Sequence, residues 1–289
     1  MNLDSSDFYR EHSPITDPGP FAHLYQGLPH DAPALCAMLQ GLLIHVFHAK
    51  KYGFLVPEDR MQEVQIAETA ALLPALLAHD PAPFWIPRPP ERRLVASCRH
   101  FSVLLCSILR SQGVPARVRC GFEAYFHKGK FGDHWVAEYW DAAQRRWVLV
   151  DAQIDDLHRA AFRIAFDPYD LQPDRFAVAG DMWRRCRTGM TDPNLCGMLN
   201  VWGIHYVRAN VVRDVMCLNK LEFFPWDSAP MIDRPENAFT KDDTALIDRL
   251  ADMTWPEVRT HEVLEAYRVH PELRAERLSK TGPTLDIGG

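Results

Sequence analysis

The sequence predicts an α+β fold, and three observations carry that prediction. Phe101, Leu104, Leu105, Ile108 and Leu109 recur with the 3.6-residue period of a helix. Val118, Cys120, Phe122, Ala124 and Phe126 then alternate with Arg117, Arg119, Glu123 and Tyr125, the period of two that marks a half-buried strand. Two more strand-like runs follow behind short links, at 134–140 and 146–152, so three consecutive strands form an antiparallel meander. Helical patterns flank this centre on both sides.

Taken in order, residues 1–30 hold Pro14, Pro18, Gly19, Pro20 and Pro29 and read as an irregular arm. A helix is expected over 32–50, apolar on nearly every face. Asp31 is its N-cap, because the carboxylate accepts an orphan N–H. A second, amphipathic helix is expected over 57–73, ended or kinked by Pro74. Pro81, Pro83, Pro87, Pro89 and Pro90 exclude helix and central strand from the next stretch. The central helix, 98–112, starts after Ser97, a good N-cap, and stops before Gly113, which suits the left-handed position beyond a helix end. Pro115 blocks continuation. A turn with two glycines covers 127–132. From 166 onward the pattern is mostly helical, with short helices at 243–253 and 256–268 and Pro256 in the first turn of the latter. The tail, 281–289, is expected to fray. Together these elements are expected to form one domain over 1–289. Its core is about 90–156, preceded by a helical segment, 1–89, and followed by a mostly helical extension, 157–289. The alternative is a separate C-terminal subdomain.

The length, 289 residues, suits one or two domains with a full core. There are 32 basic and 38 acidic residues, a net charge of −6, with 47% apolar and 24% charged residues. These values exclude a wholly disordered chain and a broadly basic nucleic-acid binder. Seven cysteines, an odd and modest number, argue against a disulfide framework and for at least one free thiol. The first ten residues include Asp4 and Asp7 and lack the basic-then-apolar order of a secretory signal. The apolar runs 35–49 and 69–78 are broken by Gln40, His45, His48 and Pro74, short of the roughly 18 apolar residues of a membrane span. The expectation is a cytoplasmic protein that engages neither nucleic acid nor membrane.

The chemistry gathers at three residues. Cys98 falls in the first turn of its helix, where the positive end of the helix dipole and unpaired N–H groups favour a thiolate and an adjacent oxyanion. His134 begins a strand, and Asp151 ends the next. With a four-residue turn at 141–144, Trp140 faces Arg145 and His134 faces Asp151, with Cβ atoms about 5 Å apart. A carboxylate there fixes the imidazole tautomer. The plain alternatives are a buried structural thiol and an ordinary cross-strand hydrogen bond. A thiol, a base and an orienting acceptor together describe nucleophilic acyl transfer.

These residues also carry a family resemblance. The run from Cys98-Arg99-His100-Phe101-Ser102 to Gly113-Val114-Pro115-Ala116-Arg117-Val118 resembles the nucleophile helix of the transglutaminase-like superfamily. Asp133-His134-Trp135-Val136-Ala137-Glu138 is similar to its histidine strand, and Trp147-Val148-Leu149-Val150-Asp151 to its aspartate strand. The segments Ala179-Gly180-Asp181-Met182-Trp183 and Leu218-Asn219-Lys220-Leu221-Glu222 resemble uncharacterised bacterial transglutaminase-domain proteins. The resemblance implies a papain-like core, with the nucleophile helix packed on an antiparallel sheet. It also implies a Cys98, His134, Asp151 triad acting on a peptide, amide or carrier-bound acyl substrate by hydrolysis or transamidation, without a cofactor. A non-catalytic peptide- or carrier-protein-binding module on the same fold is the alternative. The chain is too short for the β-sandwich domains of the calcium-dependent enzymes and has no EF-hand loop. Its cysteines form no CxxC, so no structural zinc is inferred. The second oxyanion donor of such enzymes lies outside the triad, and Trp85 and Gln153 are the candidates.

Other residues have plainer readings. His45 and His48 lie three apart on a predicted helix but lack a third metal ligand. Cys106 and Cys120 fall on apolar faces. Trp135 flanks His134 on the opposite strand face, where packing competes with substrate binding. Gln153, just past the aspartate strand, is a substrate-binding candidate. Arg117 is expected in an ion pair, and Arg184, Arg185 and Arg187 on a solvated helix face or an anion site.

Overall fold

The computed structural model describes residues 5–275. It is an α+β fold, 49% helix and 14% strand. In chain order it runs α1 (Ser5–Arg10), α2 (Ala32–Leu42), β1 (Leu43–His45), α3 (Thr69–His79), β2 (Leu94–Ala96), α4 (Cys98–Ser111), β3 (Ala116–Glu123), β4 (Phe131–Asp141) and β5 (Arg146–Val150). It continues with α5 (Asp156–Phe162), β6 (Phe176–Val178), α6 (Ala179–Arg187), β7 (Cys196–Met198), β8 (Val201–Trp202), α7 (Ile204–Leu218), α8 (Pro230–Asp233), α9 (Lys241–Thr254) and α10 (Thr260–Val269). The chain groups into two compact units. Of the described residues, the first comprises Ser6–Arg117 and Val136–Leu171, the second Ser5, Val118–Trp135 and 172–275. The tail expected to fray, 281–289, lies outside the described residues. Among the described residues no helix is long and apolar enough to cross a membrane.

In the first unit α4 is the central element, buried from Cys98 to Arg110. Its end is set by Gly113 at φ 78°, the left-handed geometry a residue with a Cβ resists. A buried helix must satisfy its own polar side chains. The Ser107 hydroxyl donates to the Thr16 carbonyl at 2.6 Å and meets the Tyr25 hydroxyl at 2.8 Å. Arg110 donates to Thr16 Oγ1 at 2.8 Å and to the Ala116 carbonyl at 2.9 Å. The proline-rich arm therefore supplies the acceptors that α4 needs. Leu35, Leu39 and Leu42 of α2 and Leu72, Leu73 and Leu76 of α3 are buried, each worth about 1.5–3 kcal/mol by removal from water.

Two helices of this unit differ from expectation. The run 32–50 is helical only as far as Leu42, and Leu43–His45 forms a strand parallel to Leu94–Ala96. A stretch apolar on every face fits a doubly buried strand as well as a helix, and here a partner strand decides. Downstream, Glu58–Gln65 is a 3-10 turn and the α-helix is Thr69–His79, with Pro74 inside it. Pro74 gives up one backbone hydrogen bond, while the buried leucines on both sides hold the helix together.

The β4–β5 hairpin lies one step from the predicted register. Asp141 faces Arg146 and Ala137 faces Val150. The four-residue turn thus falls at 142–145, and the pairing moves by two residues. Continued past Val150, the ladder sets Asp151 opposite Val136 and not opposite His134. The Asp141 carboxylate explains the later turn, because it accepts the Ala143 and Gln144 N–H groups at 2.8 and 3.0 Å. β3 ends at Glu123, short of Phe126, and is buried along its whole length, not half-buried. Its polar positions are masked by pairing. Arg117 donates to Glu138 at 2.6 Å and lies 3.9 Å from the Trp147 ring centroid.

In the second unit α6, α7 and α9 pack on one another. Gly180 permits the α6–α9 approach, since a Cβ there would sit 2.8 Å from the Ala251 carbonyl oxygen. The strands of this unit pair as β3 with β6 (Glu123 to Phe176), β4 with β7 (Phe131 to Cys196) and β7 with β8. Arg119 of β3 forms a two-pronged pair with Asp214 of α7 at 3.0 and 2.9 Å and also donates to the Thr254 carbonyl. Helix α9 starts at a Thr240–Asp243 capping box. The next helix begins at Thr260, so Pro256 precedes it instead of occupying its first turn. The Arg259 N–H closes that intervening turn onto the Met253 carbonyl. Arg184, Arg185 and Arg187 pair with Asp252, Asp181 and Asp248, which leaves the run on an ion-paired helix face.

Candidate functional site

Cys98 is the first residue of α4 and is 3% exposed. The helix start is fixed by a histidine. The Ser97 N–H donates to His100 Nδ1 at 3.1 Å, and His100 Nε2 lies 3.1 Å from the Ile66 carbonyl. Burial, aided by the neighbouring Arg99 charge, pushes the His100 imidazole down to about 3. It is therefore neutral, with the proton on Nε2 and a lone pair on Nδ1 for Ser97. Arg99 is itself buried and anchored on the Ala67 carbonyl at 2.9 Å. Cys98 thus stands at the N-terminal, dipole-positive end of a buried helix.

Asp151 and Gln153 follow β5 in the same unit and are 1% and 2% exposed. The Asp151 N–H donates to the Pro168 carbonyl at 2.8 Å, and the Asp151 carboxylate accepts the Gln153 N–H at 2.9 Å. Gln40 of α2 pins the same segment, donating to the carbonyls of Ala152 at 3.1 Å and Ile154 at 3.0 Å. The Gln153 side chain reaches His48, with Nε2 3.1 Å from His48 Nδ1. His48 Nδ1 is in turn 2.8 Å from His158 Nε2, and His158 Nδ1 is 2.7 Å from Asp155. Tyr52 donates to the other Asp155 oxygen at 2.6 Å. Burial opposes the Asp155 charge, but the His158 and Tyr52 hydrogen bonds prevail and hold it down to about 2. Gln153 and His48 are thus brought together, and His45, 4.9 Å from the His48 ring, joins them. Trp85 is 57% exposed on the proline-rich stretch.

In the second unit His134 of β4 is 3% exposed and ringed by aromatic edges. Tyr125, Phe126 and Phe176 approach its ring at 6.0, 5.6 and 6.4 Å. The Tyr125 and Phe126 backbone is gathered by one carboxylate, since Glu123 accepts both N–H groups at 2.6 Å and contacts His127. Trp135 is 1% exposed and alternates to the other face of β4. Asp133, next to His134 in the chain, accepts from Asn210 at 2.7 Å, and burial raises its carboxyl above the ordinary range.

Sequence reasoning missed His158, Asp155, Tyr52 and Glu123 and set His48 aside. Asp155 three residues before His158 has the spacing of an N-cap, which it is. The link from His48 to His158 spans 110 residues and leaves no local pattern. Residues 82–152 match the family model described as the transglutaminase-like superfamily, and this stretch contains Cys98, His134 and Asp151. No curated protein and no solved structure matches the chain.

Proposed function

We propose that the chain is a cysteine-dependent acyl-transfer enzyme, an amidase, peptidase or transamidase. Cys98 is the nucleophile, His134 the base and Asp151 the group that orients it. The observation that carries this is the placing of Cys98 at the capped, dipole-positive start of α4, inside a stretch matching the superfamily core. The observed β4–β5 register adds support. Its two-residue displacement preserves the face, so Asp151 continues on the side of the ladder shared by positions 134, 136 and 138.

In the forward step the Cys98 thiolate attacks the acyl carbon of a peptide, amide or carrier-bound thioester. The C–N or C–S bond breaks, the leaving group takes the proton from His134, and the acyl group remains as a Cys98 thioester. Water or an amine then attacks the thioester, returns its proton to His134 and releases the thiolate. Gln153, Trp135 and Trp85 are the substrate contacts in this reading. Seven free cysteines suit a reducing, cytoplasmic setting.

The test is competitive alkylation with iodoacetamide across pH, followed by peptide mapping. Cys186 is the most exposed of the seven cysteines, whereas Cys98 is buried. Exposure alone therefore ranks Cys186 first. The proposal expects Cys98 to react at least tenfold faster than Cys36, Cys106 or Cys120 at pH 6–7. It also expects His134→Gln to slow Cys98 at least tenfold with Cys186 unchanged. A Cys98 that is no faster than the core cysteines, or is indifferent to His134→Gln, overturns it in favour of a binding module.

A further inference from the structure

Between Gln153 and Asp155 runs a chain of polar contacts that the acyl-transfer steps do not use. Its proton count is constrained. Asp155 is ionised and only accepts, so His158 Nδ1, 2.7 Å away, carries a hydrogen. One hydrogen then lies between His158 Nε2 and His48 Nδ1, 2.8 Å apart. With that hydrogen on His158, the ring is an imidazolium and His48 Nδ1 is a lone pair. The Gln153 NH2, 3.1 Å away, shares that one acceptor with the His158 N–H, and the Gln153 oxygen points elsewhere. That oxygen is buried and has no partner among the described residues.

When the histidine pair loses a proton, His158 keeps Nδ1–H for Asp155 and accepts through Nε2. His48 then carries its hydrogen on Nδ1. The Gln153 NH2 would face an N–H, donor against donor. A half-turn of the carboxamide relieves this by bringing its oxygen to His48 and leaving its NH2 unpaired. Gln40 and Asp151 fix the backbone on both sides of Gln153, so the adjustment falls on the side chain.

We propose that Gln153 is a specificity-determining residue whose unpaired end, oxygen or NH2, is set by the proton shared between His48 and His158. The protonated pair selects a substrate that offers an N–H beside Asp151, and the neutral pair selects one that offers only acceptors. The proposal rests on the acyl-transfer reading for what Gln153 meets, but not for the coupling itself. The charges around the pair are mixed. Asp155 and the Tyr52 hydroxyl favour the imidazolium. Arg93 over the Tyr52 ring at 5.4 Å and Lys51 over the Phe162 ring at 4.8 Å oppose it. The His45 ring lies tilted against His48, Asp156 is exposed, and Arg159 is directed to the Phe166 carbonyl.

The coupling is tested on the full chain by NMR of histidine ring nitrogens and the Gln153 side-chain NH2 from pH 5 to 9. The expected result is a shared midpoint for His158 and the Gln153 NH2, lost from Gln153 in His158→Gln. A Gln153 signal that stays flat while His158 titrates overturns the proposal, as does a His158 held in one protonation state throughout. These readings need no reactive cysteine. The selectivity is tested by alkylating Cys98 with iodoacetamide, which carries an N–H, and methyl iodoacetate, which does not, each normalised to Cys186. The amide-to-ester rate ratio should fall at least threefold from the acid to the alkaline side of the His158 midpoint, and Gln153→Leu should abolish the change. A constant ratio with an intact NMR coupling overturns the specificity role. A Cys98 inert to both reagents overturns the acyl-transfer reading and, with it, that role, while the coupling stands on the NMR alone.

Discussion

Two polar clusters, one in each unit, show what buried charge does in this protein. In the second unit Arg119 and Asp214 are buried and face each other through two hydrogen bonds, with the Thr254 carbonyl and the Cys120 N–H closing the set. In the first unit the chain from Asp155 through His158 and His48 ends on Gln153, whose oxygen is unpartnered. The first cluster is closed and ties a strand to a helix. The second is open at one end and holds two histidine rings in hydrogen-bond contact. A closed buried network reads as scaffold, whereas an open one is a candidate for meeting a ligand.

The largest expected effect breaks the closed cluster. Arg119→Met leaves Asp214 charged and buried and should cost about 3–5 kcal/mol of unfolding free energy in urea titrations. The double variant Arg119→Met/Asp214→Leu should recover at least half of that, because no lone charge remains. A single variant within about 1 kcal/mol of wild type would show that the pair is no scaffold.

Next comes the neutral histidine at the nucleophile helix. Burial lowers His100 to about 3 in the folded protein, whereas the unfolded chain takes up that proton near 6.5. Its contribution is therefore fully present above about pH 6.5 and is lost as the pH falls toward 3. Between pH 7.5 and 4.5 the wild type should lose about 2–3 kcal/mol more stability than His100→Gln, which keeps a capping side chain and does not titrate. Parallel pH curves for the two proteins would refute the assignment.

The contrast between the clusters also explains what could be read from the sequence. The α4 helix, its Ser97 cap, its Gly113 stop and the order of β3, β4 and β5 were legible because caps, turns and periodicity are local. The open cluster was not, because His48, Gln153 and His158 meet only through the fold. The β1 strand was misread as helix for a related reason: its partner, Leu94–Ala96, lies some fifty residues away. The hairpin was placed one residue early because Asp141 continues the strand and caps the turn at once. Burial of β3 was underestimated, since arginines at alternate positions look solvent-facing until Glu138 and Asp214 are seen beneath them.

The smallest effect probes how firmly the open cluster is held. Gln40 bridges α2 to the carbonyls on either side of Gln153. Gln40→Leu removes both hydrogen bonds and should cost about 1–2 kcal/mol, the net worth of two neutral bonds. Its local consequence should exceed its global one. Hydrogen exchange at the amides of 151–155 should accelerate well beyond that of α4, whose polar side chains are satisfied by the N-terminal arm instead. If exchange in the two segments rises equally, Gln40 contributes only to overall stability, and the position of Gln153 is set by Asp151 and His48 alone. If it rises only in 151–155, the arm is a separately stabilised element. The distinction matters for the carboxamide half-turn, since Gln153 can swap the end it presents to His48 only while the backbone beneath it stays in place.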